Sequence, residues 1–167
     1  LGGINLGQLD KSGRSIGDVV LKTENLGDKG NRVHDINIEV RQGEIVGISG
    51  LVGAGKTELC KTLFGEFGKT TGHYQIGGKP IRAGIALIPE ERRKEGVFLE
   101  ESVNHNLSID TLGNYSKAFG FVNRAGEAEA AEKKIESLLI KTPCASQRVG
   151  LLSGGNQQKV TIGKWLD

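Results

Sequence analysis

Gly50-Leu51-Val52-Gly53-Ala54-Gly55-Lys56-Thr57 follows the apolar run Glu44 to Ser49 and precedes a segment in which Leu59, Cys60, Leu63 and Phe64 fall on one helical face. The run before the loop predicts a buried strand of a parallel sheet, and the segment after it predicts a helix beginning near Lys56. Strand, glycine loop and helix in this order, with the spacing G-x-x-x-x-G-K-[ST], describe a phosphate-binding loop. A loop that wraps a polyphosphate turns its backbone N–H groups inward and lets oxygens approach where a Cβ would stand, and Gly53 and Gly55 meet both needs. The helix that follows favours negative charge at its N-terminus. The candidate binding residues are therefore Gly50, Leu51, Val52, Gly53, Ala54, Gly55, Lys56 and Thr57. Lys56 is placed to reach the β- and γ-phosphates, and the Thr57 hydroxyl to ligate Mg²⁺. A second threonine, at position 58, does not apply, because that residue is Glu58 and bounds the loop. A plain glycine-rich turn can carry the same letters, so the flanking strand and helix carry the assignment. The pattern alone does not say which nucleoside triphosphatase this is.

The 167 residues are one domain's worth, and 37% apolar with 25% charged residues is enough to fold around a core. Glycine, at 26 residues, is about twice its usual share, which marks tight turns. A net charge of +2 with no basic block gives no nucleic-acid footprint. No apolar run is long enough to span a membrane. Cys60 and Cys144 lie far apart with no Cys-x-x-Cys spacing, which fits a reducing compartment. The chain lacks methionine, and we expect it to be a fragment.

Working outward, residues 1–17 read as a linker or tail. Val19 to Leu26 and Asp35 to Val40 alternate as paired strands joined by the turn-rich Gly27 to Asn31. Gly72 to Ile76 and Gly84 to Ile88 are further strand candidates, the second stopped by Pro89. Ser102 to Leu112 predicts a short helix. Ala128, Ala131, Ile135, Leu138 and Leu139 make an apolar helical stripe that Pro143 terminates. A last helix starts at Gly154. Cys60 is expected to pack, as are Tyr74 and Trp165, while His34, His73 and His105 are expected to be structural or surface residues.

Leu152-Ser153-Gly154-Gly155-Asn156-Gln157-Gln158 opens that last helix, with Ser153 as the expected N-cap, and prepares a second helix N-terminus for an anion. Ser-Gly-Gly alone equally describes a loop-to-helix junction; the phosphate loop upstream tips the reading. With both motifs, the chain resembles the ATP-binding subunits of ABC transporters over residues 18–167. Ile88 to Gly96, Ile140 to Pro143 and Leu152 to Val160 are similar to the second ATP-binding half of monosaccharide importers, those of the galactose/methyl galactoside and ribose types most of all.

The resemblance implies an α/β fold: a P-loop NTPase core of an ABC ATP-binding domain with an N-terminal antiparallel β region and a helical insertion, incomplete at the C-terminus. Residues 1–17 would be an interdomain linker, 18–89 the β region and phosphate-loop part, 90–150 the glutamine-loop equivalent and helical subdomain, and 151–167 the signature motif and the start of its helix. The cofactors implied are ATP and Mg²⁺. Ser153, Gly154 and Gly155 would touch the γ-phosphate of ATP held on a partner domain, the first ATP-binding domain of the same polypeptide. Membrane-spanning permease subunits and, indirectly, a periplasmic sugar-binding protein are the further partners implied, with the chain peripheral on the cytoplasmic face of the membrane and no nucleic acid involved.

Three departures accompany the resemblance. Glu90 stands where most of the family has glutamine; a carboxylate there can ligate Mg²⁺ or orient water, so Glu90 joins Lys56 as a catalytic candidate and Thr57 as a metal candidate. The charged run Glu90 to Glu95 also reads as a solvated loop. No aromatic lies in Gly27 to Val33 to stack on adenine, leaving Val33 or backbone to replace it, and the connection from Lys79 to Gly84 is short. The family's acidic pair beyond the signature helix is not in the sequence, so this segment alone is expected to bind nucleotide weakly and turn over none. Two functions stay open: an energy-coupling ATPase domain of a monosaccharide importer, and a degenerate domain that binds ATP for structural or regulatory ends.

Overall fold

A computed structural model describes residues 15–68, 70–76, 85–115 and 122–166. The expected tail falls mostly, and the short 79–84 connection wholly, outside these residues. The chain divides into two compact units, residues 1–87 and 88–167.

In the first unit, β1 (Val19–Asp28), β2 (Glu39–Arg41) and β3 (Thr70–Ile76) form an antiparallel sheet in the order β2-β1-β3. The register against β3 runs from Leu21 opposite Ile76 to Glu24 opposite His73, then slips before Gly27 opposite Thr71. At the slip Asn25 and Gly72 both adopt positive φ, 49° and 73°. A Cβ on Gly72 would overlap the Asn25 carbonyl, so the bulge requires glycine there. The expected strand from Asp35 to Val40 is regular only at its end. Its first half is held to β1 by the Leu26–Ile36 bridge and by Thr23, whose Oγ1 donates to the Ile36 carbonyl and accepts from the Ile38 N–H, both at 2.9 Å.

The turn between them is organised by Asp28, whose side chain is wholly buried. It accepts N–H groups from Gly30 at 2.9 Å, Arg32 at 2.7 Å and Val33 at 2.8 Å, and pairs with the Arg32 guanidinium at 2.7 Å. That guanidinium also lies 3.8 Å over the Phe67 ring. Burial pushes the Asp28 carboxyl up, but the Val33 N–H, the Arg32 guanidinium and the two other N–H groups outweigh it and hold it down at about 2. Because the folded value lies below the unfolded one, the turn's contribution to stability is complete above about pH 4 and disappears as pH falls through about 2. Asp28→Asn is therefore expected to lower stability at pH 7 and to flatten its fall between those two pH values. An unchanged acid limb in urea midpoints measured against pH would exclude this role.

One expectation for this unit is corrected. Glu44 to Gly50 is not a strand, and Ile45 is 78% exposed, with Val46 and Ile48 also exposed. A parallel strand needs neighbours on both edges, and among the described residues no segment pairs with this one. Ile85 to Ile88, the described part of the other apolar run, likewise forms no strand. Helix α1 (Lys56–Phe64) starts where expected; Leu59 is buried, but Cys60 is exposed, not packed.

The second unit is helical. After a single wide turn at Arg92–Gly96 come α2 (Val103–Ser108), a 3₁₀ segment Ile109–Tyr115, α3 (Arg124–Ser137), a 3₁₀ turn Val149–Leu151 and α4 (Gly154–Gly163). Val97, Val103, Leu107, Ala131, Ile140, Val149 and Val160 form its core. The predicted stripe on α3 is narrower than expected. Ala128 and Leu139 are exposed, and Leu139 lies beyond the helix end with φ 51°. In their place Glu127 is buried, accepting from the Ser108 hydroxyl at 2.6 Å and pairing with Arg124 at 2.9 Å. Burial raises this carboxyl, and the Ser108 and Arg124 bonds more than reverse it, leaving it below its ordinary value.

Candidate functional site

The glycine loop in the first unit has the conformation its sequence requires. Gly53 and Gly55 sit at φ 81° and 83°, left-handed angles that a residue with a Cβ would strain to hold. Gly55 is also the N-cap of α1, which has no side-chain cap, so the helix presents its first N–H groups to the loop. Lys56 folds back over the loop, donating to the Gly50 carbonyl at 2.9 Å and the Leu51 carbonyl at 2.7 Å. Its ammonium thus stands beside the main chain that would surround an anion. Thr57 is exposed on the same first turn. Position 58 holds no threonine and adds no hydroxyl to the site: Glu58 is the acidic residue of that turn, and its main-chain carbonyl accepts the Thr62 hydroxyl at 2.7 Å within α1. A carboxylate side chain there would repel a phosphate, so the loop's candidates end at Thr57. A cavity of about 360 Å³ adjoins the loop, lined by both polar and apolar residues, among them Ser49, Gly55 and Lys56 of the loop region and Arg32, Val33 and Ile36.

In the second unit, Glu90 is exposed just before the wide turn. Ser153 occupies the N-cap of α4, but its hydroxyl does not cap the helix as expected. It accepts instead from the Asn156 side-chain amide at 3.0 Å, while the Asn156 carbonyl oxygen takes the Lys141 N–H at 3.0 Å. Asparagine three residues into the helix competes for the serine and leaves the Gly154 and Gly155 N–H groups outside any side-chain cap. Ser153 and Gly155 are exposed. Thus the structure groups Gly50 to Thr57 in one unit, and Glu90 with Ser153, Gly154 and Gly155 in the other.

Gln157 is a residue the sequence reading did not single out. Its buried amide donates to the carbonyls of Val149 at 3.2 Å and Leu152 at 3.1 Å, tying the loop ahead of Ser153 to the helix behind it. A polar residue one turn into a helix, on the side that carries Val160 and Thr161, was the available signal.

A family model described as "ABC transporter" matches residues 33–166. The chain belongs to the ABC transporter family. A ribose import ATP-binding protein of Clostridium tetani is 43% identical over 159 residues, covering 90% of this chain and 31% of that protein. An arabinose import ATP-binding protein of Burkholderia ambifaria is 41% identical over 162 residues, covering 92% and 31%. The chain thus spans about a third of the length of the curated relatives it matches. Among solved structures, an ATP-binding cassette of an ABC transporter superposes with TM-score 0.64 at 26% identity, over 89% of this chain and 65% of that one. A Clostridium perfringens component of an ABC transporter complex superposes with TM-score 0.65 at 19% identity, over 88% and 61%. The fold of this ABC chain is that of the ATP-binding cassette, an α/β NTPase fold with an antiparallel sheet and helices. Among the described residues no helix is long and apolar enough to cross a membrane.

Proposed function

We propose that this chain is the ATP-binding, energy-coupling domain of a monosaccharide ABC importer, binding MgATP and, in the complete protein, taking part in its hydrolysis. The observation that carries the reading is the glycine loop: left-handed Gly53 and Gly55, an uncapped helix start, and Lys56 beside the loop carbonyls. Incoming phosphate oxygens would exchange for those carbonyls as partners of Lys56, and the backbone N–H groups would hold the rest of the tail. Val33 and Ile36, which also line the cavity, would receive the base in place of an aromatic stack. The sugar-import names of the relatives support the substrate class.

The Thr57 hydroxyl beside the loop is a hard oxygen ligand that suits Mg²⁺, an ion that takes most of its shell from phosphates and water; the Glu90 carboxylate of the second unit is a hard oxygen donor of the same class. Bound there, the ion would neutralise charge on the transferring phosphoryl group. Lys56 would bind and orient the tail, and the Glu90 carboxylate has the chemistry to orient a water. Ser153, Gly154 and Gly155 would donate to the γ-phosphate of a nucleotide held by another ATP-binding domain of the same polypeptide, for which the length of the relatives leaves room. Residues 1–17, 18–89, 90–150 and 151–167 would then be linker, β and phosphate-loop part, helical part, and signature segment. Closure of the pair would move permease subunits fed by a periplasmic sugar-binding protein, with this chain peripheral on the cytoplasmic face.

Ser153→Arg tests the arrangement in the complete protein. A bulky cation at the α4 N-terminus is expected to abolish ATP-driven closure of the two ATP-binding domains, while MgATP still raises the melting temperature through the loop at Lys56. Closure at the wild-type nucleotide concentration would reject the shared site.

A further inference from the structure

The wide turn after Glu90 is packed directly on the signature helix. Its backbone closes through Val97 N–H to the Arg92 carbonyl at 3.1 Å, a single over-wide turn of a kind that recurs at functional sites. Gly96, on the inner side, is buried; a Cβ there would stand 3.0 Å from Thr161 Cγ2 on α4. At the other end of the contact, a Cβ on Gly154 would stand 2.5 Å from Arg92 Nη2. The guanidinium, at the flexible end of its side chain, thus lies directly against Gly154.

The charge arrangement is unusual. A cation at a helix N-terminus is opposed by the helix dipole, and α4 has no side-chain cap to offset it. Arg92 Nε is buried without a hydrogen-bond partner, and Arg92 makes no side-chain hydrogen bond or ion pair among the described residues. An arginine retained for folding is ordinarily paired, since a buried unpaired donor is destabilising. Here the partly exposed cation has no protein partner among the described residues and lies two residues after Glu90, against the first residue of α4, within the Ser153–Gly155 segment.

We propose that Arg92 is a positioning residue of the signature site: seated on Gly154, it fixes the first turn of α4 and adds positive charge behind the N–H groups that receive the partner domain's nucleotide. This rests on the nucleotide reading above and deepens it. In the open protein the guanidinium is electrostatically misplaced; when a phosphate arrives at the α4 N-terminus, the same charge becomes favourable. Arg92 thereby biases the pair toward the closed, ATP-bound form, acting through Gly154.

The test uses the complete protein, with both ATP-binding domains carrying fluorophores that report closure as MgATP is titrated. Arg92→Met keeps a long stem against Gly154 and removes the charge; Arg92→Lys keeps the charge. The Met variant is expected to need about fivefold more MgATP for half-maximal closure, with a ligand-free melting temperature equal to or above wild type. The Lys variant should stay close to the wild-type midpoint, and salt should raise the midpoint more steeply in wild type than in the Met variant. A Met variant that closes at the wild-type concentration overturns the proposal. So does Lys behaving like Met, or a fall in ligand-free melting temperature that accounts for the defect, since either marks a packing role. Should the Met variant fail to fold, Arg92→Gln is judged by the same criteria. A wild type that fails to bind MgATP sinks the nucleotide reading and this proposal with it, whereas a wild type that closes beside a Met variant that closes equally removes Arg92 alone.

Discussion

Lys56→Ala is expected to lose the stabilisation that MgATP gives the wild type and to reduce ATP turnover of the complete protein by about 10²-fold or more. A ligand at about 100 times its dissociation constant stabilises the form it binds by about 2.7 kcal/mol, which in a domain of this size is about 2–4 °C of melting temperature per kcal/mol. The structure sharpens the expectation. Without nucleotide, the Lys56 ammonium is satisfied by the Gly50 and Leu51 carbonyls, so removing it also leaves the loop without its brace. The variant should therefore show a loop more open to protease before ligand is added, in addition to the missing shift. Equal MgATP shifts in wild type and variant, read by differential scanning fluorimetry, would remove the loop from the nucleotide site.

The second large effect is structural. Leu107 is 1% exposed at the centre of the helical unit. Beneath it is Gly163, where a Cβ would stand 2.7 Å from Leu107 Cδ2 and 2.8 Å from Leu138 Cδ1. The leucine fills the hollow that glycine leaves in α4, and no side chain at 163 can move into the gap. Leu107→Ala should thus fall in the upper part of the usual range for buried leucines, about 3–5 kcal/mol. Trp165, the only tryptophan of the chain, lies just past α4 and reports the loss by fluorescence in urea. A drop of under about 1 kcal/mol would mean that the packing around Gly163 is looser than these distances indicate.

What the sequence disclosed, and what it withheld, divides along physical lines. The phosphate loop was legible because its chemistry is local: the left-handed angles of Gly53 and Gly55 and the start of α1 are dictated by neighbours in the chain. β1, β3 and α4 were legible for the same reason. The run Glu44 to Ser49 was misread because an apolar segment declares a wish for burial but does not supply its partners. Cys60 and Ala128 were placed inside by a stripe drawn one residue too wide, and Glu127 was missed because only Ser108 and Arg124, neither on the stripe, make its burial tolerable. The cap at Ser153 failed because Asn156 captured its hydroxyl. Arg92 was invisible because its meaning depends on Gly154, far along the chain.

The exposed stretch at Ile45, Val46 and Ile48 has a practical side. Apolar and, among the described residues, without a ladder, it offers its main chain to any strand that comes near, including the same stretch on another molecule. Preparations of this segment should cloud as concentration rises, and a lysine in place of Val46 should keep them clear.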